Sequence, residues 1–154
     1  EYMEREQLIE KLTSWSDQIE FENEGQFLNA TVPAAQLHEI ASKLKNEDDC
    51  SFDYLFCLTG VDWPEYLEVV YHLESSAHGH QIVIRVKTAD RENPKLDTVC
   101  DIWPTAEFHE REAYDLLGIH FNNHPDLRRI LLDDDWVGYP LRKDYEDDVN
   151  LIVK

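Results

Sequence analysis

The chain has 154 residues, 42% of them hydrophobic, with 4 Trp, 7 Tyr and 6 Phe. That is enough for one domain burying about 70% of its unfolded surface, with no need of disulfide or metal staples. Its 33 acidic against 14 basic residues leave a formal charge of −19, a field that repels phosphate and anionic lipid and so excludes nucleic acid as the expected partner. Every apolar run falls short of the roughly 18 residues a spanning helix needs. The opening EYMEREQLIEK has no cationic region leading into an apolar one, so no signal peptide is expected.

Leu8, Ile9, Leu12 and Trp15 recur at the helical period and predict a first helix over residues 3–15. Residues 18–23 and 26–32 (QIEFEN and QFLNATV) read as a hairpin around Glu24 and Gly25. Pro33 suits the first turn of a second helix, whose buried stripe is Leu37, Ile40, Ala41 and Leu44. Three strands follow. Phe52, Tyr54, Phe56 and Leu58 alternate with Asp53, Leu55, Cys57 and Thr59; Leu67, Val69, Tyr71 and Leu73 alternate with Tyr66, Glu68, Val70 and His72; Ile82, Ile84 and Val86 alternate with Val83 and Arg85. Period-two patterns with one polar-leaning face predict a mostly antiparallel sheet packed by helices, a two-layer α+β domain. A third helix is expected over residues 105–117, with Thr105 as N-cap and Gly118 as the stop.

Cys50, Cys57 and Cys100 form no CxxC. On one strand the first two would lie about 23 Å apart on opposite faces, so reduced, mostly buried thiols are expected. His78-Gly79-His80 offers two imidazoles, but a Gly-centred turn between two strands accounts for it. Asp133-Asp134-Asp135 lacks the Gly and downstream Glu of a calcium loop and reads as a solvated turn. No GxGxxG, GxxxxGK[ST] or GxSxG occurs, so no cofactor or metal site is expected in this chain.

The third helix holds the densest chemistry. Glu107, Arg111 and Asp115 stand four apart, so Arg111 is expected to bridge both carboxylates, while Glu110 and Glu112 point elsewhere. Two carboxylates suit acid–base hydrolysis, and His109 would extend them to a metal group. A charged helix face holding an ion-pair network explains the same residues with no catalytic residue at all. From residue 119 onward neither period persists, and Pro125, Gly138 and Pro140 interrupt the chain. Yet this stretch carries Ile119, Phe121, Leu127, Ile130, Leu131, Leu132, Trp136, Val137, Tyr139, Leu141 and Tyr145. Irregular segments this long and apolar are uncommon within small domains. The expected division is therefore an α+β domain over 1–118 and an extended segment over 119–154, covered by another polypeptide. Arg128, Arg129, Arg142 and Lys143 beside its aromatic residues have the make-up of interface hot spots.

Glu110-Arg111-Glu112-Ala113-Tyr114-Asp115-Leu116-Leu117-Gly118-Ile119, then His124-Pro125-Asp126-Leu127-Arg128-Arg129-Ile130-Leu131, then Trp136-Val137-Gly138-Tyr139-Pro140-Leu141-Arg142-Lys143-Asp144-Tyr145 closely resemble the 30 kDa-type (C) subunit family of respiratory complex I, the proton-translocating NADH:quinone oxidoreductase. Asn123, Asp133, Tyr139 and Glu146 stand where the family usually carries Gly, Pro, His and Pro. The resemblance implies a peripheral-arm subunit of the translocase that scaffolds the quinone-reducing module through contact with the quinone-site (D) subunit. FMN, iron–sulfur clusters and quinone would lie in partners, among them the D and B subunits and the iron–sulfur subunits. It implies an interface through Glu110, Arg111, Glu112, Asp115, His124, Pro125, Asp126, Arg128, Arg129, Trp136, Tyr139, Arg142, Lys143, Asp144 and Tyr145. The expected location is the cytoplasmic face of the bacterial inner membrane, with membrane contact only through the complex; a plastid version would face the stroma. Alternatives are the equivalent subunit of a membrane-bound hydrogenase, a free-standing carboxylate enzyme, and a plain adaptor.

Overall fold

The computed structural model describes residues 3–133, 135–143 and 145. Helix α1 (Arg5–Trp15) buries Leu8 and Leu12, and Gln7 Oε1 turns back to accept the Glu4 N–H at 2.9 Å. Strands β1 (Glu20–Glu22) and β2 (Asn29–Thr31) pair antiparallel as the predicted hairpin. After Pro33 comes a 3₁₀ turn, Ala34–Gln36, and then α2 (Leu37–Asn46), which buries the four predicted stripe residues. A meander follows of β3 (Tyr54–Asp62), β4 (Leu67–Glu74) and β5 (Gln81–Lys87). Then come β6 (Lys95–Asp97), α3 (Ala106–Leu117) and β7 (His120–Asn122).

Five strands form one sheet in the order β1-β2-β5-β4-β3, antiparallel except where β2 joins β5. Leu55, Leu58, Val69, Tyr71, Leu73, Ile82, Ile84 and Val86 on one face meet Leu8, Leu12, Leu37, Ile40 and Leu44 from the helices in a single core. The fold is α+β, with a mixed sheet. Among the described residues no helix is long and apolar enough to cross a membrane.

Four expectations change in detail. A bulge between Leu55 and Cys57 resets the period of β3. Tyr54 and Phe56 therefore face outward at 49% and 38% exposure, while Phe52, Leu55 and Leu58 enter the core. Cys50 precedes β3 and does not share a strand with Cys57; burial pushes its thiol up to about 12. Thr105 occupies the N-cap position of α3 in a helical conformation, and its hydroxyl donates to the Leu55 carbonyl at 3.2 Å rather than capping. Finally, residues beyond Gly118 are not all irregular. β7 pairs in parallel with β6, Ile119 and Phe121 are buried, and the Thr98 N–H donates to the Asn122 carbonyl at 3.0 Å.

The turns predicted at Gly79 and Gly118 hold, whereas the one predicted at Asp133–Asp135 includes Asp134, which lies outside the described residues. Gly79 and Gly118 take positive φ of 85° and 79°, a conformation that costs a glycine little. Asn123, with φ 66°, is in the left-handed region where asparagine is the best tolerated substitute. His80 is buried in its turn, its Nδ1 accepting the Met3 N–H at 3.1 Å and its Nε2 donating to the Cys50 carbonyl at 2.7 Å.

Candidate docking site

Helix α3 lies over β3 so closely that a Cβ on Gly60 would collide with Leu117 Cδ1. Its inner stripe is Ala106, Glu110, Ala113 and Leu117, an apolar face interrupted by one acid. Glu110 is sealed from solvent. The Thr98 hydroxyl donates to Oε1 and the Val99 N–H to Oε2 at 2.9 Å. Desolvation outweighs these two neutral donors and lifts the carboxyl to about 7. The Tyr71 hydroxyl, fully buried, is raised well above its ordinary value by desolvation and then by the Glu110 charge.

Cys100, Glu110 and His124 bring their donor atoms within 4.8 Å of one another, beside a cleft of about 620 Å³ lined by His38, Asp97, Thr98, Cys100, Asp101 and Asn123. The imidazole of His124 is committed at both nitrogens. Nε2 donates to the Glu107 carbonyl at 3.0 Å, and Nδ1 accepts the Asp126 N–H at 3.0 Å. A metal on Nε2 would displace that proton to Nδ1, where it would meet the Asp126 N–H head-on. The donor set is a hydrogen-bonded cluster that ties α3 to the start of the C-terminal segment, and it fits a cation poorly.

One turn further along, Asp115 is equally sealed but differently surrounded. Its Oδ2 accepts three successive backbone N–H groups, from Ile130 (3.1 Å), Leu131 (2.7 Å) and Leu132 (3.1 Å), and Oδ1 takes Arg129 Nη1 at 2.9 Å. Burial alone would push the carboxyl up, but these charge-directed donors more than reverse it and hold it below the usual carboxylate range. Arg129 also donates to the Asp115 and Gly138 carbonyls, both at 2.9 Å.

The described part of the segment after β7 is thereby folded back on its own body. Arg111 donates to the carbonyls of Arg128 (3.3 Å) and Arg129 (3.4 Å). It reaches Glu107 at 3.9 Å but leaves Asp115 to Arg129, so the expected double bridge is not made. Tyr139 packs on Gly118, between the guanidinium groups of Arg129 and Arg142 at 5.1 and 5.4 Å. Arg142 Nε donates to the Leu117 carbonyl at 2.6 Å, the Leu141 N–H to the Leu116 carbonyl at 2.9 Å, and the Lys143 N–H to Asp62 Oδ2 at 2.6 Å.

With polar groups turned inward, apolar ones are left outside: Leu131, Val137 and Leu141 are 58%, 54% and 59% exposed. Of the cations, Arg128 and Lys143 point outward, the Arg128 guanidinium meeting Asp126 at 3.0 Å. Trp136 Nε1 and the Tyr145 hydroxyl are buried without a hydrogen-bond partner among the described residues. Hence Glu110, Asp115 and Arg129, expected at a partner surface, lie inside, because their hydrogen bonds hold the segment to α3. Pro125, Asp126 and Glu112 remain accessible, and Asp144 lies outside the described residues. Leu131, Val137 and Leu141 are among the apolar residues the sequence assigns to this segment; that these three are the ones to turn outward has no signal in the spacing of an irregular segment.

The family described as "Respiratory-chain NADH dehydrogenase, 30 Kd subunit" matches residues 30–149. The chain belongs to this 30 Kd subunit family. It is 52% identical over 120 residues, 77% of its length, to the C/D subunit of the NADH-quinone oxidoreductase of Phocaeicola vulgatus, of which it covers 23%. To the C subunit of the Chloroherpeton thalassium enzyme it is 49% identical over 109 residues, 70% of this chain and 45% of that one. For the C subunit of the Chlorobium phaeobacteroides enzyme the values are 46% over 114 residues, 72% and 68%. The chain thus spans less than half the length of the first two relatives. A solved structure, the membrane-bound sulfane sulfur reductase, an archaeal respiratory membrane complex, contains a polypeptide matching 92% of this one at TM-score 0.77 and 27% identity, with 85% of that polypeptide covered. The 30 Kd family therefore shares this α+β fold with a second kind of respiratory membrane complex.

Proposed function

We propose that the chain is a scaffolding subunit of a proton-translocating NADH:quinone oxidoreductase, docked on the quinone-site (D) subunit, with all flavin, iron–sulfur and quinone chemistry in its neighbours. The observation that carries the reading is the orientation of residues 127–143. Arg129, Leu141, Arg142 and Lys143 spend their hydrogen bonds on the chain itself, while Leu131, Val137 and Leu141 and the cations Arg128 and Lys143 are exposed. Exposed apolar side chains and exposed cations on one segment of a protein of charge −19 are the composition of a protein contact. Relatives whose names join C and D in one polypeptide support the D subunit as the occupant. Docking would place the chain on the membrane's cytoplasmic side, held there by the complex alone.

The free-standing carboxylate enzyme lacks its pair. Glu110 is sealed with both oxygens occupied, and Glu112 faces the other side of α3. The reading of an equivalent subunit in a related membrane-bound complex keeps support from the sulfane sulfur reductase likeness; electron transfer from NADH in the purified assembly separates the two. The docking surface is tested by the double variant Arg128→Glu with Leu131→Asp. Both side chains are exposed, so the isolated chain should keep its Tm while co-purification with the quinone-site subunit falls at least tenfold. Normal co-purification overturns the reading.

A further inference from the structure

We propose that the cleft between β6, the C-terminal end of α3 and Tyr139 receives an Asp or Glu side chain from another polypeptide of the assembly. The proposal rests on the docked reading above and adds to it the charge that the facing surface carries. In a chain with 33 acidic residues, cations are spent on neighbouring carboxylates: Arg85 on Glu68, Arg91 on Asp62 and Arg129 on Asp115. Lys95 and Arg142 make no ion pair among the described residues. Yet both line one cleft of about 390 Å³, together with Glu92, Tyr114, His120 and Tyr139.

Register brings the first donors together. Lys95 is partnered with His120 where β6 and β7 run parallel, so their side chains share a face, while Leu96 and Phe121 are buried on the other. The next outward pair is closed on itself, Asn122 Nδ2 donating to Asp97 Oδ1 at 3.3 Å. The His120 ring stands edge-on to Tyr114 at 6.4 Å, and Tyr114 lies 6.2 Å from Tyr139. Burial, and then the neighbouring Tyr139, raise the Tyr114 hydroxyl, which stays an O–H donor. Arg142 spends its Nε on the Leu117 carbonyl and lies over Tyr139 at 5.4 Å, leaving both Nη groups without a partner among the described residues. Such a pair of donors suits the two oxygens of a carboxylate. Glu92, the one carboxylate of the lining, bridges neither cation. Exposure chooses the occupant. Lys95 and His120 are exposed, so a free anion held here would stay half in water, and the −19 charge opposes its approach. A second copy carries the same repelling charge. An acid on a docked surface is carried in by the other contacts and sealed as they close, where the pairing strengthens.

The test compares the assembly recovered through a tag on the chain with the chain expressed alone. An activated ester should acetylate Lys95 roughly tenfold more slowly in the assembly, as befits a lysine shut off from solvent. A carbodiimide, which joins a touching amine and carboxylate as an amide with loss of water, should link Lys95 to an Asp or Glu of another polypeptide. Lys95→Glu should lower recovery of that polypeptide about tenfold, the worth of one charge pair, with the isolated chain's Tm unchanged. Changing the linked acid to Lys should restore recovery. The proposal is overturned if Lys95 reacts at the free rate in an assembly that retains the quinone-site subunit, or if the linked acid belongs to this chain or a second copy of it. It is overturned too if succinate at fixed ionic strength raises the isolated chain's Tm, which marks the cleft as a site for a free carboxylate. It falls alone if Arg128→Glu with Leu131→Asp loses the quinone-site subunit while Lys95→Glu loses nothing. Should nothing co-purify at all, the docking reading and the cleft proposal fall together.

Discussion

Glu110 and Asp115 stand five residues apart on one helix, both cut off from water, yet their carboxyls move in opposite directions. Glu110 has two neutral donors and no cation at hydrogen-bond distance; Asp115 has three backbone amides on a single oxygen and a guanidinium on the other. Both side chains are sealed, so the number and charge of the donors decide. The difference has a topological origin. Glu110 faces the loop after β6, part of the body, whereas Asp115 faces the returning segment, whose curled backbone supplies the amides.

The largest effect is expected where charge is removed from the second pocket. Asp115→Ala leaves Arg129 buried without its counter-ion and three amides unpaired, so the isolated chain should lose about 4 kcal/mol by urea unfolding. A loss below about 1 kcal/mol would show that the segment does not depend on this carboxylate. The next effect concerns pH. Glu110 binds its proton more tightly folded than unfolded, its carboxyl rising from 4.5 to about 7. Its contribution is complete below pH 4.5 and is lost as pH rises through about 7, a decline of about 3 kcal/mol. Asp115 has the reverse sign: its contribution is present above the ordinary carboxylate range and is lost only as acid overtakes its lowered value. Unfolding at about pH 5 and about pH 8 should show the decline in the wild type, and Glu110→Gln should flatten it. The smallest effect sharpens the contrast. Thr98→Val removes one of Glu110's two donors, costing about 1 kcal/mol and moving the carboxyl further up in a ¹³C NMR titration; an unmoved titration would mean the hydroxyl bond is immaterial.

Much of this was legible in the residues, and the failures share a cause. The helical periods of α1, α2 and α3, the Gly118 stop and the motif resemblance all rest on local spacing. β6 and β7 are three residues each and pair in parallel across intervening α3, so neither strand is long enough to alternate. Helix-surface spacing gave Asp115 to Arg111, but Arg129 arrives from outside the helix and wins by bringing backbone amides with it. Glu110 read as a surface charge, although Ala106, Ala113 and Leu117 at helical spacing already placed it on the buried stripe. The inward turn of Arg129 and Arg142 had no signal, because composition shows that cations and aromatics share a segment and says nothing about which way they face.

The sealed Glu110 makes folding a chemical exchange with the medium. At about pH 6 the unfolded chain holds this carboxyl ionised and the folded chain holds it protonated, so this group takes up a proton as the chain closes, against the protons that burial expels from His72 and His80. The heat released on folding then includes the ionisation heat of whichever buffer supplies that proton.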